Sequence, residues 1–157
     1  MSVIVVDTNA VIMHGRAFSD RVRAAVENGR TIVLPQSVKR ELVDDVLENE
    51  RAPPNHRESA LEIQRLVDDG YLVVRSPDFT TSSRVIDETR RRISDESTPE
   101  HEVKADQYIP ALICDLARDG AVSLVTADQK LRRITRDIVD RHGLTDRVEL
   151  RDPLTVL

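Results

Sequence analysis

The stretch Val3-Ile4-Val5-Val6-Asp7-Thr8-Asn9 decides how the sequence is read. Its first four residues are all β-branched and apolar. Such a run suits a strand buried on both faces, as in a parallel sheet covered by helices on either side. A carboxylate then stands directly where that strand would end. Similar runs recur at Thr31-Ile32-Val33-Leu34, Tyr71-Leu72-Val73-Val74 and Ala121-Val122-Ser123-Leu124-Val125. The weaker Arg147-Val148-Glu149-Leu150 alternates and reads as an edge strand.

Helical periodicity fills the intervals. Phe18, Val22, Ala25 and Val26 share one helix face, which Asn28-Gly29 ends. Val38, Leu42 and Val46 mark a second helix, entered through Pro35 and Ser37. Ala60, Leu61, Leu66 and Val67 fall in a third, closed by Gly70, and Ser83 to Ile93 is a fourth. Ala105 to Ala117 reads as a fifth helix, in which Pro110 requires either a late start or a kink beside Asp106, and Gln129 to Arg141 as a sixth closed by Gly143. The polar stretch Ser94 to His101 is the most loop-like, with Thr98-Pro99 suited to open a short helical turn. Strands alternating with helices imply an α/β domain: three layers, α/β/α, around a mainly parallel sheet of about five strands. One domain over residues 1–157 accounts for all of it.

Composition narrows the classes. Charged residues are 32% and hydrophobic ones 39%, a balance that folds rather than staying disordered. The 28 acids outnumber the 23 bases, which excludes a protein that holds nucleic acid by bulk positive charge. A partner whose phosphates are reached through bound metal stays open. Cys114 is the only cysteine, so neither an intrachain disulfide nor a cysteine zinc cluster can form. No apolar run approaches the roughly 20 residues of a membrane span, and the N-terminus lacks signal-peptide character. The expectation is a cytoplasmic protein with no membrane partner.

In an open α/β sheet, ligands bind beyond the carboxyl ends of the strands, where strand order reverses. Four acids fall near such ends: Asp7 after the first strand, Glu41 on the helix after the second, Asp106 at the start of the fifth helix, and Asp128 after Thr126-Ala127. Each has a purely structural alternative. Asp7 and Asp128 could cap helices, Asp106 could favour a helix N-terminus, and Glu41 could be solvated. Gathered at one end of one sheet, four carboxylates would repel one another unless a cation were present. Oxygen-only donors suit Mg²⁺ or Mn²⁺ rather than zinc. The chemistry this permits is metal-assisted phosphodiester hydrolysis.

At these residues the sequence resembles the PIN-domain nuclease family. The matching motifs are Val5-Val6-Asp7-Thr8-Asn9, Glu41 within Pro35-Gln36-Ser37-Val38-Lys39-Arg40-Glu41-Leu42, Ala105-Asp106-Gln107-Tyr108-Ile109, and Leu124-Val125-Thr126-Ala127-Asp128, spanning residues 2 to about 135. The resemblance implies a Mg²⁺- or Mn²⁺-dependent endoribonuclease acting on RNA, often a homodimer, as in the VapC toxins that pair with an antitoxin protein. It implies Asp7 as the central metal ligand, Glu41 and Asp106 as direct or water-mediated ligands, and Asp128 in an outer role. Thr8, Asn9 and Thr126 match positions where a polar side chain orients a carboxylate or holds a metal-bound water. The segment Arg75 to Lys104 is longer than a compact VapC toxin needs, which leaves an RNA-processing nuclease beside the toxin reading. A non-catalytic PIN-fold module binding RNA or protein is the alternative from another class.

Other chemistries fit less well. A haloacid-dehalogenase-type phosphatase needs a second Asp where Asn9 stands. A receiver domain needs a phosphoacceptor Asp after the third strand, where Arg75-Ser76-Pro77 follows. A nucleotide-binding fold needs a Gly-rich turn, and four of the five glycines read as helix ends. Asp115 lies nine residues after Asp106, about 900° along a helix, so it is expected on the opposite, solvated face. Asp44, Asp45 and Glu48 read as a solvated acidic face, as do the basic runs Arg90-Arg91-Arg92 and Arg132-Arg133. The four histidines read as surface residues and Cys114 as a small core residue. With two Phe, two Tyr and no Trp, base stacking cannot be a widespread binding mode.

Overall fold

The apolar runs form five strands: β1 (Val3–Val6), β2 (Thr31–Pro35), β3 (Leu72–Arg75), β4 (Val122–Val125) and β5 (Val148–Arg151). The computed structural model describes residues 3–94 and 100–154. Its sheet has the order β3-β2-β1-β4-β5, and each neighbouring pair is parallel. The chain builds outward from β1 to β3, then returns past β1 to add β4 and β5 on the other side. Strand order therefore reverses between β1 and β4. Their register pairs Val6 with Val125, so the chain leaves both strands side by side at Asp7 and Thr126.

Helices cover both sides of the sheet, giving the expected three-layer α/β/α arrangement. They are α1 (Thr8–His14), α2 (Phe18–Glu27), α3 (Gln36–Lys39), α4 (Asp45–Glu48), α5 (Pro54–Asp68), α6 (Ser83–Ile93), α7 (Glu100–Asp106), α8 (Ile109–Asp119) and α9 (Gln129–Arg141). The bounds of α6 and α9 match their sequence periodicity. The core lies on β1 and β4 and the helix faces against them, with Val5, Val6, Leu124, Val125 and Ile113 fully buried.

Three local features depart from the sequence expectation, and all three flank the strand ends. First, α1 starts immediately after Asp7, whose side chain accepts the Ala10 N–H at 2.8 Å, and ends at Gly15, whose φ of +53° turns the chain. Second, α3 runs into α4 through a π-helical turn at Arg40–Asp44. Val38 and Val43, five residues apart, are both fully buried, while Leu42 and Val46 are only partly so. A wider turn moves the apolar face off the usual three-to-four spacing.

Third, the helix expected over Ala105 to Ala117 takes the late start that Pro110 allowed, and the residues before it end a separate helix. Tyr108 precedes α8, and Pro110 sits in its first turn, where a missing N–H breaks no helical bond. Asp106 thus ends α7 instead of opening a helix. The break also resets the helical phase, which corrects the placement of Asp115. That residue is not a free solvated acid: it accepts the Asp78 N–H at 2.9 Å and pairs with Arg118 at 2.8 Å. The helical turn expected at Thr98-Pro99 lies outside the described residues.

The central strands should carry the stability. Leu124→Ala removes a fully buried side chain from β4. It should cost about 2–5 kcal/mol in urea unfolding. Leu61→Ala, at a position 53% exposed on α5, should stay within about 0.5 kcal/mol of wild type.

Candidate functional site

The reversal of strand order brings three sequence-predicted residues into contact. Asp7 is 1% exposed and Thr126 is fully buried. One oxygen of the Asp7 carboxylate accepts the Ala10 N–H, and the other accepts a short hydrogen bond from the Thr126 hydroxyl. The same hydroxyl oxygen accepts the Asp128 N–H at 3.0 Å. Thr126 therefore bridges the two acids. The Asp128 side chain turns to α9 and accepts from Lys130 N at 2.9 Å and Leu131 N at 3.1 Å. Both acids are helix caps as well as neighbours.

Glu41 enters through Thr8. The Thr8 hydroxyl donates to Glu41 Oε2 at 2.9 Å, tying the first turn of α1 to the π-helical turn. Asn9, the next residue on α1, is exposed. Asp106 is 6% exposed at the end of α7, and the carbonyl before it, Ala105, accepts the Ser37 hydroxyl at 2.7 Å. That bond, absent from the sequence reading, holds the end of α7 against the start of α3.

Burial pushes the Asp7 carboxyl up to about 6. The Thr126 and Ala10 hydrogen bonds pull the other way, and the negative charge of Asp128 adds to the rise. An acid so placed is deprotonated at neutral pH at a cost in folding energy. Its environment is one that a cation would relieve. All the donors are oxygens, which fits a hard divalent ion. Among the described residues, no three of His, Cys, Asp and Glu stand close enough together to hold one in this arrangement.

A cleft of about 740 Å³ adjoins Glu41, lined by Arg40, Arg75, Phe79, Lys104 and Tyr108 among others. Sequence reasoning missed these residues as a group. Arg75 could have been found, since it ends β3 on the same side of the sheet as Asp7. The remaining candidates are structural. Arg90 bonds Gln107 and Asp87, Arg92 bonds Glu88 and Asp137, and Arg132 donates to the Leu150 carbonyl. Cys114 is buried, and burial raises its thiol to about 11. His56 and His142 are exposed, whereas His14 is half-buried, and burial with nearby Arg21 lowers its pKa. The side chain of His101 lies outside the described residues.

The halobacterial PIN-domain family matches residues 1–157. This chain belongs to that family. Two solved structures share the fold of this PIN domain. VapBC2 from Rickettsia felis, bound to a DNA fragment from its promoter, is 14% identical with a TM-score of 0.54, over 96% of this chain and 98% of that one. VapBC-1 from nontypeable Haemophilus influenzae is 12% identical with a TM-score of 0.56, over 97% and 98%. At such identities the likeness is one of fold. Curated protein sequences give no significant match.

The strain on Asp7 makes a signed prediction for the metal-free PIN domain. Its folded pKa of about 6 exceeds the ordinary 3.8, so the folded state binds the proton more tightly than the unfolded one. Stability should fall as pH rises between those values, by about 3 kcal/mol in all. Asp7→Asn keeps a capping oxygen and removes the charge. In a chelator at pH 7.5 it should melt several degrees higher than wild type. The gap should close as the pH falls toward 4. Equal melting temperatures at pH 7.5 would show that the buried charge costs nothing.

Proposed function

We propose that the protein is a Mg²⁺- or Mn²⁺-dependent endoribonuclease, a single nuclease domain over residues 1–157 that hydrolyses RNA phosphodiester bonds. The observation that carries this reading is the Asp7 carboxylate, buried where strand order reverses and held by Thr126 beside Asp128. Membership of a family of nucleases supports it. Asp7, Glu41, Asp106 and Asp128 would hold the ion. Bound there, it supplies an activated water and neutralises the charge that develops on the leaving oxygen.

The chain's own contribution is positioning. Thr126 fixes one Asp7 oxygen and Ala10 N–H the other, so the carboxylate cannot rotate. Thr8 holds Glu41 toward the same rim, and Asn9 offers an exposed amide beside them. A carboxylate oxygen has more than one lone-pair site, so capping leaves capacity for a further partner. As Asp7 must be ionised to bind a cation, metal-dependent activity should rise with pH through about 6.

An antitoxin protein and a homodimer belong to the proposal as partners, suggested by the VapBC neighbours. A cytoplasmic location accompanies it; among the described residues no helix is long and apolar enough to cross a membrane. A toxin should arrest growth when expressed and be relieved by a small neighbouring antitoxin gene. An RNA-processing nuclease should do neither. One observation favours a second reading, a non-catalytic RNA- or protein-binding PIN module: Asp7 and Asp128 both cap helices, and among the described residues no three acids converge.

Incubation with structured and unstructured RNA, in Mn²⁺ and in EDTA, separates the two. Cleavage should require Mn²⁺. Asp7→Asn should lower it at least about 100-fold, and Glu41→Gln or Asp106→Asn about 10- to 100-fold. Cleavage that persists in EDTA or in Asp7→Asn sinks the metal mechanism. Intact RNA under every condition favours the binding module.

A further inference from the structure

The protein has four aromatic side chains, and their distribution is uneven. Phe18 is buried in the core, and Tyr71 lies beneath the Arg23 guanidinium at 5.5 Å. The remaining two, Phe79 and Tyr108, meet in a T-shaped contact, 5.7 Å between ring centres and 88° between planes. Both line the cleft beside Glu41. Phe79 is 58% exposed, an unfavourable position for a large apolar ring unless something covers it.

The ring is not loose. Asp78 accepts the N–H groups of Thr80 and Thr81 at 2.9 and 3.1 Å, closing a turn around Phe79. Asp115 on α8 accepts the Asp78 N–H at 2.9 Å and the Ser82 hydroxyl at 3.4 Å. Two residues of one helix region thus hold the loop: Asp115 from below and Tyr108 against the ring. An exposed aromatic held in place before binding loses little entropy on engaging a ligand.

The charge beside it has the right sign for phosphate. The Arg40 and Arg75 side chains line the cleft and make no hydrogen bond or ion pair with side chains or backbone of described residues. Lys104 is 71% exposed and reaches Glu100 at 3.5 Å. By contrast Arg92, Arg118, Arg141 and Arg151 are all engaged with carboxylates. Glu41 and Asp45 are the acids on this wall, and Lys104 is shared with Glu100, so the Arg40 and Arg75 guanidinium groups are the cations most ready to meet phosphate.

We propose that this cleft is a subsite for single-stranded RNA, in which one unpaired base stacks on Phe79 while Arg40, Arg75 and Lys104 contact the flanking phosphates. The choice of RNA rests on the ribonuclease reading above; the stacking and phosphate contacts rest on the cleft itself. A paired base hides its faces within the duplex, so a lone protruding aromatic selects strands whose bases can be splayed out. Glu41 at the edge of the cleft would place the adjoining phosphodiester toward Thr8 and Asp7. Phe79 is then a specificity-determining residue and Asp115 a positioning residue acting through the loop.

The test is equilibrium binding of a fluorescent unstructured RNA of about twelve nucleotides in EDTA, where binding is read without cleavage. Phe79→Ala and Phe79→Leu should each weaken binding, by roughly 5- to 150-fold. Phe79→Trp should hold within about twofold of wild type. Arg75→Ala should reduce the slope of log affinity against log salt by about 0.7. A duplex of the same sequence should bind wild type no better than the single strand binds Phe79→Ala. Unchanged melting temperatures, expected for an exposed residue, show that the variants are folded. The subsite is overturned if Phe79→Ala binds like wild type, if duplex and single strand bind equally, or if no RNA binds. Binding with this pattern but no cleavage in Mn²⁺ would overturn the nuclease reading and leave the subsite standing. Cleavage with an unchanged KM in Phe79→Ala would do the reverse.

Discussion

The pairing of β1 with β4 is the constraint on which the functional end of the molecule depends. It sets Val6 opposite Val125, and so delivers Asp7 and Thr126 to the same point from distant parts of the chain. Where the order reverses, the following helices diverge to opposite faces and leave an opening. Placing a carboxylate there fixes it on the rigid central strands. The Thr126 hydroxyl then does two jobs at once, donating to Asp7 and accepting from the Asp128 backbone.

The same arrangement opposes stability to function. Asp7 is almost wholly buried and faces another acid, which raises the cost of its charge. Two hydrogen bonds offset part of that cost without removing it. Proteins commonly tolerate such local conflicts where a site must stay ready for a charged partner. Here two of the neighbouring acids are otherwise accommodated. Asp128 is satisfied by the first turn of α9, and Glu41 by Thr8 and partial exposure.

Much of this was legible in the sequence because it depends on short-range patterns. The β-branched run at Val3 to Val6 gives β1, and the spacing of Leu131, Ile134 and Ile138 gives α9. What was hidden depends on breaks in pattern. The split between α7 and α8 is signalled only by Pro110, which a helix tolerates in its first turn. Counting through that split misplaced both Asp106 and Asp115, since a rotation counted along one helix has no meaning across two. The π-helical turn is likewise invisible, as Val38, Leu42 and Val46 satisfy an ordinary helical face on paper. Phe79 and Tyr108 are 29 positions apart and meet only through tertiary packing.

The separation of Asp7 from Thr126, 119 residues in sequence, has a bearing on how the protein is made. Chains are synthesised from the N-terminus at about 5–20 residues per second. During most of that time β1 can pair with β2, its near neighbour in sequence, but β4 is still missing. Asp7 therefore waits, without Thr126 or Asp128, until the 119 positions that separate it from Thr126 have been made. A nascent chain on the ribosome, itself surrounded by RNA, cannot assemble the acidic site early. The topology acts as a timer that withholds the site until β4 has been made.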